Sequence, residues 1–309
     1  MQKVFTLTGN LLAETTAVFK MPSEGGTSRA EGNSEFKVGG KGVNVARTAA
    51  ALGFKVFAAV FPAGFSGKRC LAELAKEKFF VISAEIEGET RIGLVCENIE
   101  TKTRTTFLGA DVPVKEAALC QVLEKISAEA EEGDALALSG SFAGWMPSFA
   151  EKIAALCEKK RLIFCADTYG PPLRDILNVK CALLKINRAE LFGLLGETDG
   201  GTLEDFKDAF ARGGKLAAKA KVFACTDGAN AALFSAGGKL FEEIPPKVGK
   251  PIDATGCGDA ALAVLICELF GRGTCLRVAA SRAMRYASMC AATPETGVLS
   301  PEKATEALK

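Results

Sequence analysis

Apolar runs of strand length, each followed by a segment of helical period, recur through this sequence and constrain its fold more than any other feature. VFTLT (4–8), KVFAAVF (55–61), DALAL (134–138), RLIFCAD (161–167), CALLK (181–185) and KVFACT (221–226) read as strands. KGVNVARTAAALG (41–53, closed by Gly53), a segment near 66–78, MPSFAEKIAALCEKK and RAELFGLLG read as helices between them, and ALFSA follows the last strand before further helices fill the C-terminal third. Strands that are apolar on both sides, alternating with helices, predict an α/β fold: a central, mostly parallel sheet with helices on both faces. With 309 residues, 48% of them hydrophobic, the chain can bury one large core, and no repeat, low-complexity block or linker divides it. The expectation is a single domain over 1–309.

Two segments break the rhythm. Residues 12–38 are polar and Gly-rich, and residues 89–110, ETRIGLVCENIETKTRTTFLGA, read as a hairpin-like pair of amphipathic strands. Both flank the first βαβ unit, which predicts a small β-lid projecting from the main sheet rather than a decorated sheet edge.

Composition narrows the chemistry. Histidine is absent, which excludes Ser-His-Asp and Cys-His catalysis and His-ligated zinc. The 11 cysteines include no Cys-x-x-Cys pair and many lie in apolar runs, as buried small hydrophobes of a reducing compartment do. A net charge of +1 makes no case for nucleic acid or an anionic membrane, and AALAVLIC is too short to cross a bilayer. The N-terminus lacks the pattern of a signal peptide, so a cytoplasmic location is the expectation.

The available catalytic groups are therefore carboxylates, Lys, Arg, hydroxyls and amides. In PIDATGCGDAALAVLICELF, Gly256, Cys257 and Gly258 stand at the start of an apolar helix, whose end presents N–H donors and partial positive charge suited to a phosphate. Asp259 falls in the first turn. It reads either as a base beside that anion site, kept ionised by the helix dipole, or as a plain stabiliser of the helix end. In VGGKGVNVARTAAALG, Gly39, Gly40 and Gly42 permit a tight turn, and Asn44 projects from the first helical turn. Lys41 opposes the helix dipole there, a conflict that a bound anion or polyol would remove, unless it is a plain surface lysine. The chain has neither the nucleotide P-loop nor G-x-G-x-x-G. Asn187 and Glu190 in LLKINRAEL form a candidate capping box. Thr226 and Gly228 end another strand, at the strand ends where open parallel sheets place ligands. Arg91 reads as a phosphate contact or a solvated charge.

These segments, in this order and over nearly the whole chain, resemble the ribokinase-like sugar kinases, the phosphofructokinase-B family. VGGKGVNVARTAAALG is similar to the family's first signature, and PIDATGCGDAALA to its D-T-x-G-A-G-D. ETRIG, DTYGPPL and the K-x-N-x-x-E spacing resemble the phosphosugar branch, which acts on fructose 1-phosphate, fructose 6-phosphate or tagatose 6-phosphate. The resemblance implies ATP-dependent transfer to a hydroxyl of a phosphorylated ketohexose, with Asp259 as base and the amides of Gly256, Cys257 and Gly258 as anion hole. It implies sugar contacts from Glu14, Gly39, Gly40, Lys41 and Asn44, and contacts to the substrate's own phosphate from Arg91 and Ser139. Lys185, Asn187, Glu190, Thr226 and Gly228 would serve the nucleotide, with Asn187 and Glu190 near Mg²⁺ through water. Dimerisation through the lid is a further implication. The sequence departs from the family pattern at Glu14, where the family has Asp, at Ile186, where it has Pro, and at Ala231, where Gly is common. A kinase of an unphosphorylated sugar or nucleoside, and a non-catalytic sugar-phosphate-binding protein, are the alternative readings.

Overall fold

The apolar runs become adjacent, buried strands. In this computed structural model, which describes residues 3–20, 25–101, 103–249, 251–293 and 297–309, the chain opens with β1 (Lys3–Thr8), β2 (Leu12–Phe19), β3 (Glu35–Gly39), α1 (Lys41–Ala51), β4 (Lys55–Val60), α2 (Gly64–Leu74) and β5 (Phe80–Ser83). It continues through β6 (Arg91–Asn98), β7 (Arg104–Leu108), α3 (Glu116–Glu129), β8 (Ala135–Ser139), α4 (Pro147–Lys160), β9 (Ile163–Asp167), α5 (Pro171–Ile176) and β10 (Cys181–Asn187). The last third holds α6 (Arg188–Leu195), α7 (Leu203–Leu216), β11 (Ala220–Thr226), β12 (Ala232–Ala236), β13 (Lys239–Glu243), α8 (Cys257–Ile266), α9 (Leu276–Ala291) and α10 (Pro301–Ala307).

Among the described residues nine strands form the main sheet, in the order β13-β12-β11-β10-β9-β8-β1-β4-β5. From β5 to β11 every pairing is parallel, and β12 and β13 close one side as an antiparallel meander. Successive side chains of a strand serve opposite cores. Val4 joins the layer under α1, α8 and α9, while Phe5 joins the layer under α3, α4 and α7. Helix α8 is buried from Asp259 to Ile266, which accounts for a sequence that is apolar all round rather than along one stripe. Each fully buried Leu, Ile or Val there contributes about 1.5–3 kcal/mol.

Helix α2 starts two residues before the expected position. The Glu89 carboxylate accepts the N–H groups of Phe65, at 3.1 Å, and of Ser66, supplying from 23 positions away the cap that the local sequence lacks.

The two segments that broke the rhythm form a second sheet of order β3-β2-β6-β7. β2 pairs in parallel with β6, and both outer pairings are antiparallel. Residues 21–24 and 102 of the expected lid lie outside the described residues. One face of this sheet, carrying Leu12, Glu14, Lys37, Arg91 and Leu108, lines a cleft over the carboxyl ends of the main strands. On the other face Ile92, Leu94 and Phe107 are exposed. No helix among the described residues is long and apolar enough to cross a membrane, and the described cysteines are free thiols, most of them buried.

Candidate active site

Two glycine turns bring the site together. At the first, β3 runs into α1 through Gly40, whose φ of 126° belongs to glycine. A Cβ on Gly42 would stand 2.3 Å from Thr8 Oγ1 and 3.1 Å from Leu7 O, so the turn lies directly against the end of β1. At the second, Gly256 caps α8 with φ 77°, in the left-handed region. The first-turn amides of α8 face the cleft end of the helix, although Cys257 N–H also donates to Ala254 O at 3.3 Å.

The cleft between these turns and the small sheet has a volume of about 300 Å³. It brings together nine of the residues singled out in the sequence: Glu14, Gly39, Gly40, Lys41, Asn44, Arg91, Ser139, Gly256 and Asp259. Cys257 and Gly258 continue the same turn into α8. Asn187 and Glu190 line an adjoining groove of about 430 Å³ that meets the cleft at Tyr169. Thr226 ends β11 beside Asn187, Gly228 follows it with φ 54°, and neither lines the cleft.

Asp259 is buried beneath the cleft, and Asn44 Nδ2 donates to its Oδ2 at 2.8 Å. The expectation that the helix dipole keeps it ionised does not hold. Burial, reinforced by the charge of Asp167, raises its carboxyl to about 7, against the opposing pull of Lys41, the Asn44 hydrogen bond and Lys185. Desolvation outweighs the dipole because apolar α8 draws its first turn into the core.

Lys41 also finds partners that its sequence context did not suggest. Its Nζ lies 3.6 Å from Asp167 Oδ1 and 3.4 Å from Glu190 Oε1, so carboxylates from β9 and α6 resolve the dipole conflict expected to need a ligand. Burial would lower the Lys41 pKa, but the charges of Asp167, Glu190 and Asp259 together hold it raised. Asp167, absent from the sequence-derived site, ends β9 and ties the cluster together. Its Oδ2 accepts from buried Lys185 at 2.6 Å, and its Oδ1 is buried without a hydrogen bond. Lys185 thus serves beneath the glycine turn rather than in open space: a Cβ on Gly258 would lie 3.4 Å from its Nζ.

Asn187 and Glu190 form the capping box of α6. Glu190 N–H donates to Asn187 Oδ1 at 2.8 Å, and Asn187 N–H to Glu190 Oε2 at 2.9 Å, leaving Glu190 Oε1 for Lys41. At the opposite wall, Arg91 Nη1 donates to Asp111 Oδ1 at 3.0 Å, and Asn10 Nδ2 reaches the same oxygen at 2.9 Å. Arg91 Nε and Ser139 Oγ are buried without hydrogen bonds. Burial lifts the Glu14 carboxyl above the usual range, with Asp253 adding to the effect and Lys37, Arg104 and Arg47 opposing it. Asn10, Lys37, Arg47, Ser141, Tyr169 and Thr255 add further polar side chains to the lining. Of these, Arg47, Tyr169 and Thr255 lie inside quoted motifs and Asn10 and Lys37 close to them; Asp167 opens DTYGPPL, so the signal for it was present although it was not singled out.

A family model described as pfkB family carbohydrate kinase matches residues 11–303. The chain is 27% identical over 263 residues to the 1-phosphofructokinase of Bacillus subtilis (strain 168), covering 84% of this chain and 83% of that one. It is 28% identical over 235 residues to the D-tagatose-1-phosphate kinase of Klebsiella oxytoca, covering 76% and 75%. Among solved structures, phosphofructokinase-2 from Escherichia coli in complex with potassium matches with a TM-score of 0.89 at 22% identity, over 100% of this chain and 98% of that chain. Arabidopsis thaliana ribokinase complexed with ribose and ATP matches at 0.77 and 18%, over 100% and 99%. At these identities the two structures establish the shared ribokinase-like fold.

Proposed function

The chain belongs to the pfkB family of carbohydrate kinases, and from that premise we propose that it transfers the γ-phosphoryl group of ATP to a hydroxyl of a phosphorylated ketohexose. The observation that carries the reading is Asp259: a carboxyl with a pKa near 7, fixed by Asn44 at the N-terminal end of α8, in one cleft with Glu14 and Arg91.

A carboxyl near neutrality is matched to accepting the proton of an attacking hydroxyl at physiological pH. Phosphoryl transfer otherwise needs positioning and charge stabilisation, which oriented amides and cations provide without histidine. In this reading the Gly256–Gly258 amides receive the transferring group, and the Gly39–Asn44 turn and Glu14 hold the sugar hydroxyls. Arg91 and Ser139, each with a buried polar atom lacking a hydrogen bond, receive the phosphate already on the substrate. Lys41 stands between the sugar turn and the nucleotide side, where Asn187, Glu190, Thr226 and Gly228 lie. Glu190 is an oxygen donor of the kind Mg²⁺ prefers, and with both its oxygens already engaged it would reach, through water, an ion held largely by ATP phosphates. When bound, that ion neutralises charge on the phosphates. Asn187 acts in this scheme by holding Glu190 in its capping box.

ADP release tests the reading over fructose 1-phosphate, fructose 6-phosphate, tagatose 1-phosphate, tagatose 6-phosphate, free hexoses and nucleosides. We expect turnover with at least one ketohexose phosphate and none with the free sugars. Turnover confined to free sugars or nucleosides would move the assignment to an unphosphorylated substrate. No ADP above the sugar-free control would favour a binding protein. The exposed Ile92 and Phe107, 57% and 59% accessible on the outer face of the small sheet, support a homodimer through that face, checked by the mass from sedimentation equilibrium in analytical ultracentrifugation.

A further inference from the structure

Arg104 lies opposite Glu97 in the β6–β7 ladder. By alternation with Leu108, which lines the cleft, it belongs to the face of the small sheet turned toward the substrate site. Its Nε donates to Glu97 Oε2 at 3.1 Å. Its Nη1 donates to Asp253 Oδ2, 149 positions along the chain and outside the small sheet. Asp253 lies in the loop that leads to Gly256, and its other oxygen, Oδ1, accepts Thr255 N–H at 2.9 Å. The Asp253 side chain is 10% exposed and Arg104 30%, so the pair is shielded from much of the solvent screening that weakens surface ion pairs. Glu14, on β2 and separated from β7 by β6 in the same sheet, senses the charges of both Arg104 and Asp253.

We propose that Arg104 is a positioning residue that couples the sugar-binding sheet to the loop forming the phosphate-receiving turn, so that sugar and nucleotide bind cooperatively. The inference rests on the kinase reading above and adds a regulation of that same site. Its physical basis is the guanidinium fork. With Nε held by Glu97, Nη1 is delivered in one direction, onto a carboxylate whose second oxygen holds the backbone of Thr255. A shift of the small sheet as sugar binds is therefore passed to the residue preceding Gly256. A lysine at this position has one donor centre and cannot hold both carboxylates in a fixed relation.

The test compares wild type, Arg104→Gln, Arg104→Lys and Asp253→Asn by calorimetric titration with Mg·AMP-PNP, with and without the hexose phosphate that the ADP-release panel identifies. In the wild type the sugar phosphate should tighten AMP-PNP binding by about five- to 150-fold, the usual range of coupling between sites. In Arg104→Gln that factor should fall to near one, while each ligand alone binds within about threefold of wild type, a margin under the roughly tenfold that 1.4 kcal/mol represents. Arg104→Lys should recover only part of the factor. Asp253→Asn keeps an acceptor for Thr255 N–H and loses the charge. It should reproduce Arg104→Gln, and it carries the test if Arg104→Gln does not fold. A merely structural arginine predicts a lower melting temperature with the coupling factor intact, and that result overturns the inference, as does a wild type with no coupling. A wild type that turns over no panel member overturns the kinase reading instead.

Discussion

Asn44 Nδ2 and Asp259 Oδ2 lie 2.8 Å apart across 215 positions of chain, joining the first turn of α1 to the first turn of α8. Arg47 Nη1 donates to Asn44 Oδ1 at 3.3 Å, which leaves the Asn44 amide group free to point only its nitrogen at the carboxylate. The hydrogen bond fixes the orientation of a group whose own environment favours protonation.

Replacing Asp259 by Asn keeps the shape and the Asn44 contact and removes the proposed base. A general base typically contributes about 10²–10⁴-fold, so kcat is expected to fall by that factor while AMP-PNP affinity, read by calorimetry, stays within about twofold. A loss below tenfold would place the base elsewhere.

The raised carboxyl gives two pH signatures. As the proposed base Asp259 must be ionised, so kcat/KM should rise with pH and level off above about 7. Stability runs the other way. The folded value lies above the ordinary 3.8, so the native state holds its proton longer. The associated stability is fully present below the ordinary value and is lost as pH rises through the folded one. Asp259→Asn should therefore melt above wild type at pH 8, with the difference vanishing near pH 4.

In the proposed function Arg91 meets the substrate phosphate with a guanidinium already oriented by Asp111. A charge-assisted contact contributes about 1.5–3 kcal/mol, so Arg91→Ala should raise KM for the sugar phosphate by roughly ten- to 100-fold and leave KM for ATP little changed. An equal rise in both would assign Arg91 to general upkeep of the cleft.

Lys185, 3% exposed, pairs with Asp167, 1% exposed, at 2.6 Å. Lys185→Met strands a buried carboxylate beside Asp259, which typically costs about 3–5 kcal/mol. Urea denaturation should show a loss of that order, and adding Asp167→Asn should recover much of it. A single variant as stable as wild type would show that water or Lys41 already neutralises Asp167.

Much of the architecture was legible because RLIFCAD, CALLK and KVFACT are apolar on both faces, as a strand covered on both sides requires. The small sheet was legible from ETRIG and its partner run for the opposite reason, since they alternate. What could not be read were effects of partners far away in sequence. The cap of α2 comes from Glu89. Asp167 opens the quoted DTYGPPL, but its partners are distant in sequence, and its importance shows only when β9 lies beside β10 and Lys185. The ionisation of Asp259 was misjudged because the helix dipole is visible in a sequence and the depth of burial is not. The strands β5 and β13 and the helices α3 and α7 also escaped notice, lying between the segments that carry the motifs.

The completely buried face of α8 has a consequence for biosynthesis. Until residues near 266 leave the ribosome, the nascent chain holds β1, β4 and β8 to β11 with one side of their sheet lacking its central cover, a hydrophobic surface open to self-association. The same late helix delivers Asp259 to the cleft, so the central cover of this layer and the buried carboxylate arrive together, before α9 and α10 close the rest.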